Sequence, residues 1–259
     1  MAIPIGDLNP TRRRGYVTLL LIAINVSVFI LWQPWGGDFC EQSAFYARWG
    51  AIPDEVVELR PLNQAELDTT VDPRCGVPTM SDKSVVLSVL VSMFLHGGWA
   101  HLLGNMLYLW VFGDNVEDRL GHGQYLVFYL VCGTLATVLF AGMNPSSTMT
   151  LVGASGAIAG VLGAYLVMYP TALVRVFIPP FFLLPLPALA VLGGWFVLQV
   201  WTDRIAGQTG AGIAYFAHVA GFVAGMLIAL LLGQRPQRPT PYGYRRRVQR
   251  RTRPGSDTW

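Results

Sequence analysis

Three short stretches carry the residue types that chemistry needs in surroundings that discourage them. The first reads His96-Gly-Gly-Trp-Ala-His101-Leu-Leu-Gly-Asn105, the second Gly153-Ala-Ser155-Gly156, and the third Ala217-His218-Val-Ala-Gly221-Phe-Val-Ala-Gly225. Ionisable and strongly polar side chains inside apolar runs are costly and mark function by default. A serine hydroxyl becomes a nucleophile when a positioned imidazole takes its proton, and Ser155 with His218 would make such a pair. His101 and Asn105, four apart, share one helix face and offer hydrogen bonds to an oxyanion. The chemistry this suggests is acyl transfer to water, hydrolysis of a peptide bond by a Ser–His dyad with no third carboxylate in sight.

Each stretch taken alone also has a plainer reading. Gly-Ala-Ser-Gly suits a close helix contact, His218 suits a proton relay or a metal ligand, and His101 with Asn105 suits a polar clamp between helices. No metal or other cofactor is expected, because His101 and His218 lack a third His, Asp, Glu or Cys at matching depth. The plainer readings lose ground only when the three stretches are placed together, and that requires the elements that carry them.

The chain has 259 residues, of which 53% are hydrophobic and 13% charged. Its mean hydropathy is +0.45. Soluble domains carry about 25% charged residues, so a soluble enzyme, a disordered chain and a fibrous protein are all excluded in favour of a polytopic membrane protein. Apolar runs fall at Tyr16–Trp32, Trp99–Val116, Gln124–Met143, Ser155–Tyr169, Phe181–Thr202 and Gly212–Leu232. A spanning helix needs about 20 such residues. The expected fold is therefore all-α, a six-span helical bundle with both termini cytoplasmic. Its parts are an N-terminal cytoplasmic segment (1–15), the membrane domain (16–232) and an Arg-rich cytoplasmic tail (233–259), expected to be disordered. The first run is read as an uncleaved signal anchor.

Charge supplies the orientation. Arg12, Arg13 and Arg14 precede the first run, whereas the polar stretch after it holds nine acidic residues against Arg48, Arg60, Arg74 and Lys83. The positive-inside rule puts the arginines in the cytoplasm and the loop of about 33–98 outside. Val85 to Leu95 is too short to span and is expected in that loop or at the interface. Asp203-Arg204 would lie outside, and Trp32 and Trp35 read as interface anchors. Eight arginines from Arg235 to Arg253 would suit nucleic acid, but they follow directly on an apolar run. They are read as a tail near anionic lipid head groups, with no nucleic-acid partner. Cys40 and Cys75 share the outer loop and either pair or stay free.

In this topology Asn105 and His218 each lie about six residues, roughly 9 Å, into their spans from the outer side. The fourth span, about 22 Å long, leaves Ser155 recessed below the outer surface. Gly156 and Gly160, and Gly221 and Gly225, form small-residue stripes that would let spans four and six cross closely. A transporter would spread its ionisable residues to both sides of the midplane, which these do not do.

Together the motifs resemble the rhomboid intramembrane serine proteases, over roughly residues 92–230. The matching residues are His96, His101 and Asn105; Glu117, Arg119, Gly121 and Tyr125; Gly153 to Gly156; and Ala217, His218, Gly221 and Gly225. The resemblance implies Ser155 as nucleophile, His218 as base, and His101 and Asn105 in the oxyanion hole. It also implies that His96 supports the first loop and that Glu117 and Arg119 brace the inner end of span two. The implied substrates are transmembrane proteins, and the compact six-span plan is typical of relatives in bacterial inner membranes. The alternative is a silent relative that binds transmembrane helices without cutting them. Ala159 stands where some relatives have a tyrosine stacked on the histidine, so another group has to orient His218, with Tyr215 and Tyr165 as candidates. Residues 144–154 suggest a flexible roof over the site, span five a gate for substrate, and His122 a solvated loop residue.

Overall fold

The computed structural model describes residues 3–34, 36–180, 182–209 and 215–237, with backbone alone at 203–209. Trp35, the side chains of Asp203 and Arg204, and the tail from residue 238 onward lie outside the described residues. The elements in chain order are β1 (Ile3–Asp7), α1 (Tyr16–Leu31), α2 (Phe39–Trp49), α3 (Pro53–Glu58), α4 (Gln64–Thr70), α5 (Val85–Ser92), α6 (Trp99–Leu120), α7 (His122–Met143), α8 (Ser155–Met168), β2 (Leu173–Ile178), β3 (Phe182–Pro187), α9 (Ala188–Thr209) and α10 (Tyr215–Leu231).

At the centre stands α8, buried without a break from Ala157 to Tyr165. Its small residues Gly156, Gly160 and Gly163 let neighbours come close, and α6, α7, α9 and α10 pack around it. Helices α1 and α6 to α10 fall on the six apolar runs of the sequence. Among the described residues, α7 alone is long and apolar enough to cross a membrane by itself; α1, α8, α10 and the 188–202 part of α9 are apolar but shorter. α6 has 22 residues but ends in Asp114, Glu117, Asp118 and Arg119.

The largely helical fold carries one three-stranded sheet, which corrects the expectation of an all-α fold. Strand order is β1-β2-β3, antiparallel throughout. The expected fifth span, 181–202, is thereby corrected: residues 182–187 are strand, and the helix starts at Ala188. These residues pair with β2, whose Leu173 to Val176 alternates exposed and buried residues at the two-residue period of a strand. Pro185 and Pro187 cannot donate within a helix, and an edge strand such as β3 tolerates them. A hydropathy window averages such strands into the helix that follows.

β1 brings Asp7 beneath α8, where its Oδ2 accepts from Tyr165 Oη at 2.7 Å and from Asn115 Nδ2 at 2.8 Å. Burial pushes the Asp7 carboxyl up to about 7; the Tyr165 bond opposes the shift and nearby Asp114 adds to it. The folded state therefore holds a proton that the unfolded chain loses near 3.8. Stability from this group is greatest below that value, falls as pH rises, and its loss is complete above about 7. Asp7→Asn should flatten that part of the pH profile, so that its advantage over wild type in detergent unfolding grows between pH 4 and 7.

Glu117 does more than brace the end of α6. Its carboxylate accepts Val17 N–H and Thr18 N–H at 2.8 Å each and the Thr18 hydroxyl at 2.7 Å. The first turn of α1 has free N–H groups and no side-chain cap of its own, so Glu117 caps it from another helix. His122 Nδ1 lies 2.6 Å from the same carboxylate. His122 is exposed as expected, but it opens α7 and is bonded rather than free in a loop. Asp118 takes the N–H groups of Arg12 and Arg13, and Arg119 reaches Gln234 at 2.8 Å, tying down the start of the C-terminal segment. Glu117→Ala strands several buried donors at about 1–3 kcal/mol each, so the unfolding midpoint should fall clearly. Glu117→Gln keeps an acceptor oxygen and should fall less.

The long first loop is folded. Asp38 and Asn63 cap α2 and α4, and Ala47, Ile52, Leu62, Leu67 and Val71 form a small core of their own. Cys40 and Cys75 are joined as a disulfide. Lys83 is buried, paired with Glu55, and donates to Ala47 O at 2.6 Å and Gly50 O at 3.0 Å. That holds the α2–α3 corner, where Ala51 pairs with Leu151. Ser147 O also accepts Asp54 N–H. The segment 144–154 is therefore pinned to the first loop, at Ala51–Leu151, at Asp54–Ser147 and at Thr69–Thr148, rather than left flexible.

Candidate active site

Ser155 is the first residue of α8, where the free N–H groups of a helix start and its dipole favour negative charge. No side chain caps this end. Gly153, two residues earlier, has φ +131°, a conformation that L side chains rarely adopt. Space forbids a side chain there as well, because a Cβ would stand 2.8 Å from Cε1 and Nε2 of His101 and 3.5 Å from Ser155 Oγ. The His101 ring edge and the serine hydroxyl thus flank one spot above Gly153. The Gly153 N–H donates to Ser92 O at 2.9 Å, which fixes this turn against α5.

The two glycine stripes do what their spacing predicts. A Cβ on Gly221 would run into Gly156 O, and one on Gly225 into Gly160 O. With backbones this close, His218 of α10 reaches α8, and its Nε2 lies 2.8 Å from Ser155 Oγ. Asn105 lies one turn beyond His101 on the same face of α6; it is buried, and its Nδ2 has no partner among the described residues. An amide donor in that state is ready for an acceptor. A cavity of about 40 Å³ touches Ser92, Thr137, Gly153, Ser155 and His218, enough room for water.

His96 is fully buried beside His101, ring centroids 5.1 Å apart. Its N–H donates to Gln33 Oε1 at 2.9 Å, and its carbonyl accepts Gln33 Nε2 at 2.7 Å and Tyr46 Oη at 2.9 Å. The turn before α6 is thus bound to the end of α1 and to α2. Glu117 and Arg119 are not at this site, since 16 residues of α6, about 24 Å, separate Glu117 from His101. Among the described residues no three His, Cys, Asp or Glu side chains gather where they could hold a metal.

The model of the Rhomboid domain family matches residues 83–235, more than half the chain and every stretch that builds this site. The chain belongs to the rhomboid family. Rhomboids are integral membrane proteins, and the helical fold fits that. The chain is 30% identical over 153 residues to Rhomboid protein 1, mitochondrial, of Saccharomyces cerevisiae, covering 54% of this chain and 40% of that protein. It is 41% identical over 78 residues to Rhomboid protease GluP of Bacillus subtilis, covering 30% and 15%. It is 30% identical over 138 residues to Rhomboid protease GlpG of Yersinia enterocolitica, covering 52% and 44%. It thus spans less than half the length of each of these relatives.

Of the two tyrosines offered as candidates to orient His218, one is ruled out. Tyr165 does not orient His218; it lies ten residues, about 15 Å, down α8 from Ser155 and bonds Asp7 instead. The Tyr215 ring stands edge-on to the imidazole at 6.3 Å between centroids. The group bonded to His218 Nδ1 is Gln199 of α9, at 2.7 Å. Gln199 is the one strongly polar side chain in its apolar run, which is the signal that would have found it.

Proposed function

We propose that this rhomboid is an intramembrane serine endopeptidase acting on peptide bonds in or near the transmembrane segments of membrane proteins. The observation that carries the reading is the 2.8 Å contact between Ser155 Oγ and His218 Nε2, made across the close crossing of α8 and α10. Ser155 Oγ attacks the carbonyl carbon as its proton passes to His218 Nε2. The oxyanion receives the Ser155 N–H, Asn105 Nδ2 and His101, donors fixed before the charge develops. His218 then gives the proton to the departing amine nitrogen as the C–N bond breaks, and water, activated by the same imidazole, hydrolyses the ester.

In this reading α1 and α6 to α10 span the membrane with both termini cytoplasmic. The first loop and the mouth of the site face outward, and the arginine-rich segment after residue 233 lies near anionic lipid inside, in a bacterial inner membrane. An α-helical peptide bond is closed to a nucleophile, so cleavage falls where a substrate helix is weakest, near its outer end.

The test is purified protein in liposomes with a tagged single-span substrate, compared with Ser155→Ala and His218→Ala. Cleavage by wild type alone supports the proposal. No cleavage by any form, with the substrate still co-purifying, points to a helix-binding relative that does not cut. Equal cleavage by all three overturns the assignment.

A further inference from the structure

A histidine base must keep its single proton on the nitrogen that faces away from the nucleophile. If Nε2 held it, that nitrogen could not accept the serine proton. Something must therefore select the Nδ1–H form, and a buried Nδ1–H needs an acceptor. The groups around the imidazole are Ser155 of α8, His101 of α6, Trp195 and Gln199 of α9, and Tyr215 of its own helix. Of these, Gln199 meets Nδ1, through Oε1 at 2.7 Å. It is buried, and it shares one face of α9 with Trp195, whose ring centroid lies 6.2 Å from that of His218.

We propose that Gln199 is a positioning residue that holds His218 as its Nδ1–H tautomer, so that Ser155, His218 and Gln199 form a relay with an amide where better-known triads have a carboxylate. The proposal rests on the hydrolytic reading of the site. Only the amide oxygen can fill the role, because an amide N–H turned to Nδ1 would force the ring proton onto Nε2 and disarm the base. When His218 takes the serine proton, both ring nitrogens carry hydrogen; Nδ1–H stays bonded to Gln199 Oε1, and the Nε2 proton leaves with the amine. The amide gains and loses no proton. Because Gln199 belongs to α9, any displacement of that helix takes the acceptor away with it.

The experiment compares wild type with Gln199→Leu, which keeps the volume but not the acceptor, and Gln199→Glu, which keeps an acceptor oxygen. Loss of the orienting partner should lower kcat by about 10²-fold in the leucine variant with KM little changed. The glutamate variant should recover most of that loss. In parallel, ¹⁵N-histidine NMR of the intact protein, which has four histidines, reads the tautomer directly. His218 should be Nδ1–H in wild type and mixed in Gln199→Leu. Where leucine prevents folding, Gln199→Met takes its place. Wild-type kcat in the leucine variant, or an unchanged tautomer, overturns the role of Gln199 and leaves the dyad standing. Absence of Ser155-dependent turnover in wild type sinks the hydrolytic reading instead, and the NMR arm still decides whether Gln199 sets the tautomer.

Discussion

Alanine at Ser155, alanine at His218 and both together are expected to slow proteolysis by about the same factor, on the order of 10⁴ or more. The equality follows from the geometry. In the proposed mechanism Ser155 and His218 act through one hydrogen bond across two helices, so removing either end leaves nothing for the other to do. Independent contributions would multiply in the double variant, whereas parts of a single unit do not. Because Ser155→Ala removes one hydroxyl beside an existing cavity, its unfolding should stay near wild type, separating lost chemistry from lost fold. Initial rates of all four forms on one substrate check this, and a double variant slower than either single by the product of their effects would contradict it.

The second large effect concerns entry. Ser155 lies behind α6, α7, α9 and α10, and under the proposed function a membrane-embedded substrate has to pass between two of them. α9 is the least enclosed. Val197 and Trp201 are each 65% exposed, while Leu192 and Gln199 face inward. It meets α6 where the rings of Trp195 and Tyr108 stand 6.4 Å apart. Bridging Tyr108→Cys and Trp195→Cys with a short, reductant-cleavable thiol cross-linker is therefore expected to abolish cleavage of a transmembrane substrate, and reductant should restore it. The uncross-linked double variant controls for the loss of the two rings, and reductant-treated wild type controls for the Cys40–Cys75 bond. Full activity in the cross-linked protein would mean that substrate enters elsewhere.

The site was legible in the sequence to the extent that its parts break local rules. Ser155, His101, Asn105 and His218 are polar groups in apolar runs, and the Gly156/Gly160 and Gly221/Gly225 stripes announce a close crossing that the backbones make. Gln199 breaks the same rule in its own run, but nothing in its spacing connects it with His218, because the contact joins two helices through rotation about their axes. The β2–β3 hairpin was hidden for another reason. Hydropathy does not tell an apolar strand from an apolar helix, and Pro185 and Pro187 are the residues in the run that separate them. The folded first loop depends on a disulfide and on Lys83 buried among backbone carbonyls, both long-range pairings in a stretch whose composition reads as solvated. For Glu117 the motif marked the position, while the capping of α1 needed the approach of a helix about a hundred residues earlier in the chain.

The most direct measurement asks whether Ser155 is an activated nucleophile, without reference to any substrate. Purified protein would be treated with a serine-reactive fluorophosphonate, and the modified residue located by mass spectrometry in wild type and in His218→Ala. One adduct is expected, on Ser155, formed in wild type and nearly absent in His218→Ala. No adduct on Ser155, or one that forms equally fast without His218, would contradict it.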